Sequence, residues 1–211
     1  MYALVESGNI TKIFHNPQGF KLGDNQYSAD VFTKWSNSER EAIGIYAVTI
    51  DNSNKKDENW YYNTNQTFTY DSDAGTVTAA YGTATAKPHT DILYTSQDNT
   101  DGIIPAGKSV GDVKTEGLKT KLIRDLKLQV SNDLSKTDWY VTRKSEKSTA
   151  IPSNISTHRD AVRTKQAEME TAITNAADTA ALEILYTYVN TGTEESPVME
   201  RPLGELPELE S

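Results

Sequence analysis

Between Lys114 and Tyr188 the apolar residues of this chain recur with a helical period, and nothing else in the sequence constrains the fold as much. Leu118, Leu122, Leu126, Val130 and Leu134 stand four apart with Ile123 beside them, while lysines and Asp125 take the other faces. This spacing predicts an amphipathic helix of roughly five turns. Thr137-Asp138 ends it before Trp139-Tyr140-Val141, and Pro152 marks the start of a second helix with Ser153 or Ser156 as candidate cap. There Ile155, Val162, Met169 and Ala176 are seven apart, and Ile173 completes the stripe. After a bend at Asn175 to Asp178, Ala181, Leu182, Leu185 and Tyr188 make a further apolar face. Two such helices on a short link most simply bury their stripes against each other. The alternative is a self-associating coil, whose seam of about three heptads would be diluted by His158 and Lys165.

The first third has the opposite texture. Tyr2 to Glu6 and Ile10 to Phe14 flank Ser7-Gly8-Asn9, where Gly8 supplies the positive φ of a short hairpin. Ser36 and Glu39 have capping-box spacing, and Gly44 suits the left-handed end of the short helix they would start. Ile45 to Ile50, Trp60 to Tyr62, Phe68 to Tyr70 and Val77 to Tyr81 read as strands, with Asp73-Ala74-Gly75 as a turn. The expectation is an α+β chain: a β-rich N-terminal domain over 1–85, a connector over 86–112, a helical-hairpin domain over 113–190 and an extended acidic tail over 191–211. Pro197, Pro202, Pro207 and six glutamates keep the tail from folding alone, while Val198, Met199, Leu203, Leu206 and Leu209 let it lie along another surface.

Charge and composition narrow the function classes. Net charge is −9, and no stretch is basic enough to gather phosphates, so a nucleic-acid role is not expected. Cysteine is absent, which removes disulfides, thiolate metal sites and thiol nucleophiles. No run of 18 apolar residues suggests a membrane span, and Met1 to Glu6 shows no secretory signal, so an intracellularly assembled, soluble protein is expected.

Several motifs tempt a chemical reading. Gly102 to Ser109 fits the G-x-x-x-x-G-K-[ST] phosphate-loop pattern letter for letter. That loop needs a buried strand before it and a helix after it. Thr95 to Asp101 contains no aliphatic residue, however, and Gly111-Asp112 interrupts where the helix should run. His15, His89 and His158 are scattered, with no ligand spacing between them, so no metal or cofactor site is expected. Acid pairs such as Glu39/Glu41, Asp71/Asp73 and Glu168/Glu170 sit on turns or polar faces, and no catalytic residue stands out. Trp35, Trp60, Tyr61, Tyr62, Tyr70 and Tyr81 concentrate in the β-rich part. Buried, they are core; exposed, they would stack on sugars of a host surface glycan or anchor a protein interface.

Leu134-Ser-Lys-Thr-Asp138-Trp139, then Ile151-Pro152, then Arg159-Asp160-Ala161-Val162-Arg163 and a terminal apolar helix resemble the bacteriophage tail assembly chaperone-like domain. The match covers about 70 residues. Trp35-Ser36, Glu39 and Ile43-Gly44-Ile45-Tyr46 also look like a phrase found near the start of phage tail and tail-fibre proteins. The resemblance implies a non-enzymatic structural component of the virion tail, made in the host cytoplasm, that docks onto other tail proteins as a homo-oligomer. It implies that Trp139, Tyr140, Arg159 and Arg163 order the helical domain. The alternatives are a fibre-assembly chaperone absent from the mature particle and a carbohydrate-binding receptor module using Trp60 or Tyr62.

Overall fold

A computed structural model describes residues 1–209 of the 211-residue chain. The fold is α+β, and it divides into two compact units: Met1–Thr85, and a second that begins at Ala86.

The first unit holds strands β1 (Tyr2–Glu6), β2 (Asn9–Phe14), β3 (Phe20–Leu22) and β4 (Asn25–Tyr27) and short helices α1 (Asp30–Thr33) and α2 (Asn37–Glu41). Strands β5 (Ile45–Asp51), β6 (Tyr61–Tyr62), β7 (Gln66–Asp71) and β8 (Thr76–Tyr81) follow, with β9 (Thr85–Ala86) at the boundary. A five-stranded sheet runs in the order β2-β1-β5-β8-β7. All its pairings are antiparallel except β5 with β8, where Val48 to Asp51 lie parallel to Val77 to Ala80. Edge strands β2 and β7 approach each other, so the sheet curls towards a half-barrel.

The expected turns are where local chemistry puts them. Ser7 (φ 51°) and Gly8 (φ 78°) turn β1 into β2, and Gly75 (φ 62°) turns β7 into β8. Ser36 accepts from the Glu39 amide and the Glu39 carboxylate accepts from the Ser36 amide, so the capping box is complete. Gly44 has φ 79°, and a Cβ there would lie 2.5 Å from the Val5 carbonyl oxygen. Leu4, Phe14, Phe20, Val31, Phe32 and Ile45 form the core of this unit, with Tyr2, Tyr27 and Trp35 against its rim. Its aromatic rings interlock at 4.9–5.7 Å between the centroids of Phe14, Phe20 and Phe32. Such pairs add specificity to the area they bury.

The second unit begins with β10 (Ile92–Leu93), α3 (Ser96–Thr100) and β11 (Val113–Thr115), β10 pairing antiparallel with β11. Helices α4 (Leu118–Ser135), α5 (Asp138–Lys147), α6 (Ser153–Asn175) and α7 (Thr179–Tyr186) follow, and β12 (Val189–Asn190) pairs with β13 (Met199–Glu200). Helix α4 packs on α6 through Leu126 and Val130 on one side and Ile155, Val162, Met169 and Ile173 on the other, all buried. The helical stripes therefore meet within one chain. From 201 to 209 the tail has no regular structure but returns to its own helices. Leu203 is buried, its amide donates to the Leu185 carbonyl at 3.0 Å, and the Arg201 guanidinium lies over the rings of Tyr186 and Tyr188.

Candidate functional site

The phrase Leu134 to Trp139 and the Arg159 helix meet at one corner. Helix α4 ends as its last carbonyls lose helical partners, and such orphan acceptors need donors. Arg159, buried on α6, supplies them: Nη1 donates to the Leu134 carbonyl at 2.7 Å and to the Thr137 hydroxyl at 2.6 Å. Its Nη2 pairs with Asp138 in the first turn of α5 at 2.8 Å. Thr137, itself buried, donates to the Leu134 carbonyl at 3.0 Å. One planar cation thus joins the negative end of α4 to a carboxylate at the positive end of α5, a geometry that suits a guanidinium and not an ammonium.

One residue earlier on α6, His158 makes a second tie. Its Nε2 lies 2.9 Å from the Asp133 carboxylate, which also accepts from Lys136 at 2.9 Å. Burial opposes the ionised form of Asp133, but the hydrogen bonds from Lys136 and His158 outweigh it and hold the carboxyl below the usual range. The other ring nitrogen of His158, Nδ1, is buried and has no hydrogen-bond partner among the described residues. Two adjoining cavities of about 380 and 420 Å³ share His158 with Pro207, Glu208 and Leu209 of the returning tail. No local spacing signals this arrangement, because Asp133 and His158 are 25 residues apart and the tail lies further on.

The other sequence candidates fall in different places. Trp139 is 51% exposed, its ring 3.9 Å from that of Tyr140 and capped by the Arg143 guanidinium at 5.3 Å. Arg163 points outward and pairs with Asp160 at 3.3 Å. Only Arg159 of these four is buried in the joint. In the first unit Trp35 packs edge-on against Tyr27 at the core rim, Trp60 is buried, and Tyr62 is 55% exposed. Trp60 precedes β6 in a turn, so the expected strand over Trp60 to Tyr62 is shorter by one residue.

Gly102 to Ser109 has neither element that a phosphate loop requires. Helix α3 precedes it and turns follow it as far as β11. The region is organised by Asp98, which caps α3 through the amide and hydroxyl of Thr95 and pairs with Lys114 at 2.5 Å. Hydrogen bonds from Lys114 and then from Thr95 hold the Asp98 carboxyl down at about 2. These bonds consume the carboxylate in holding the loop.

Comparison with models of known protein families, with curated proteins and with solved structures finds no match.

Proposed function

We propose that this chain is a structural component of a bacteriophage tail, a tail-fibre or tail-associated protein that works by docking onto other tail proteins. The observation that carries the reading is that the residues of the family-like phrase act together mechanically. Leu134, Thr137, Asp138 and Arg159 close one helix corner, and the corner presents Trp139 on the outside with Tyr140 half-buried beside it. A phrase that conserves shape in this way serves a module whose task is to offer a surface of fixed geometry. Exposed aromatic and arginine side chains on a rigid element are the usual anchors of protein interfaces.

The reading is tested in particles grown from a genome in which this coding sequence is deleted. Tails that fail to assemble or lack an appendage, with the defect corrected by supplying the chain during assembly, support it. Tails of normal composition and shape would overturn it. Addition of the chain to finished defective particles separates the two roles: incorporation restores a structural part, whereas a chaperone acts only while fibres fold.

A further inference from the structure

We infer that a second copy of this chain docks its acidic hairpin tip, Glu194-Glu195, onto the basic face of α5. The inference deepens the docking role proposed above by naming one partner. It rests on that reading, yet its failure is distinguishable from the failure of that reading, since a tail protein that binds only other tail proteins would not self-associate.

Helix α5 is ten residues long and buries none of them. Helices this short are marginal in water unless something packs on them. Its start is held by the Asp138–Arg159 pair, but every residue from Val141 to Ser148 is exposed. At about 100° per residue, Arg143, Tyr140, Lys144 and Lys147 fall within roughly 100° of arc, with Trp139 beside Arg143 and Glu146 outside it. Asp138 is already paired with Arg159, and no ion pair among the described residues engages Lys144 or Lys147. The face is cationic, aromatic and uncovered.

The complement lies in the same chain. Residues 190–211 carry six glutamates against Arg201 alone. Glu194 and Glu195 sit at the tip of the β12–β13 hairpin, inside a turn closed by Thr193 N–H to the Ser196 carbonyl at 3.2 Å and Ser196 N–H to the Thr193 hydroxyl at 3.1 Å. The Asn190 side chain accepts from the amides of Gly192 and Val198 at 3.0 and 2.9 Å, and a Cβ on Gly192 would strike the Ser196 carbonyl oxygen. The tip is therefore a fixed loop, and fixing a loop beforehand lowers the entropy cost of binding. Neither glutamate has an ion-pair partner among the described residues. Val198 and Met199 stand exposed behind them, apolar surface to set against Trp139 beside the basic arc. A hairpin tip on one helix is a small interface, so the contact is weak and is strengthened by repetition in an assembly.

Charge exchange tests the inference on the full chain. Sedimentation velocity from about 1 to 200 µM at low salt should show reversible self-association in the weak range of small interfaces, reduced at about 0.5 M salt as screening shortens. Arg143→Glu with Lys144→Glu should weaken it at least about tenfold through like-charge opposition, and Glu194→Lys with Glu195→Lys should do the same. Circular dichroism confirms that each variant keeps its helices, as expected for exposed positions. Mixing the two variants should restore association, because each then meets the opposite charge. A wild-type chain that stays monomeric throughout, variants that associate like wild type, or a mixture that stays apart would each overturn the inference.

Discussion

Replacing Arg159 by methionine should open the helix corner while leaving the α4–α6 stripe packed. Methionine keeps most of the apolar stem and removes the guanidinium. The loss has three parts. The ion pair with Asp138 is the smallest, about 1 kcal/mol or less, because the aspartate side chain is 61% exposed and water screens it. The charged bond to the Leu134 carbonyl is larger, roughly 1.5–3 kcal/mol, and its removal also leaves the end of α4 without a cation. The Thr137 bond adds little, since that hydroxyl still donates to Leu134. Together these give a destabilisation of about 1.5–4 kcal/mol for the second unit. With a urea dependence of about 1–3 kcal/mol/M, the midpoint should fall by roughly 1 M. Hydrogen exchange read by mass spectrometry on peptides of α4 and α6, across a urea series, reports this unit without interference from the first. Arg159→Lys should recover half or less, because an ammonium cannot span Leu134 and Asp138 together. Arg163→Met, on the exposed side of the same helix, should change the stability by less than about 0.5 kcal/mol. If Arg159→Met unfolded at the wild-type midpoint, or no lower than Arg163→Met, the joint would not be holding the corner.

Three further outcomes are expected. Ile173→Ala, at a fully buried position of α6, should cost about 2–5 kcal/mol in the same urea series. Gly44→Ala must hold φ 79° and push against the Val5 carbonyl oxygen, so the first unit should lose roughly 1–3 kcal/mol by thermal unfolding. The Asp98 carboxyl is depressed from 3.8 to about 2, so its stabilising effect is fully present above roughly pH 4 and is lost as pH falls through about 2. Amide protection factors across α3, corrected for the intrinsic pH dependence of exchange, should fall in that window, and Asp98→Asn should remove that fall.

How much of this was legible in the sequence follows from the range of each interaction. The stripes of α4 and α6, the Ser36–Glu39 box and the turns at Gly8, Gly44 and Gly75 depend on residues a few positions apart, and local spacing revealed them. The parallel pairing of β5 with β8 across the intervening β6 and β7 left no local trace, because a strand's alternation says nothing of its neighbour's direction. The aromatic band could be read as core or as surface until packing decided it: Trp60 went inside and Tyr62 outside. The division of labour within the family-like phrase, with Arg159 buried and Trp139, Tyr140 and Arg163 turned outward or half-outward, depends on how α6 is rotated against the α4–α5 corner. The return of the tail through Leu203 and Arg201 was hidden for the same reason: its partners, Leu185, Tyr186 and Tyr188, precede it by more than a helical turn.

The claim that this chain is a built-in part of a phage tail is tested most directly by targeted peptide quantification in particles purified through two successive density gradients. A fixed small-integer ratio to a known tail subunit, unchanged by the second gradient, is the expected result. Peptides that are absent, or that fall away with each step of purification, would contradict it.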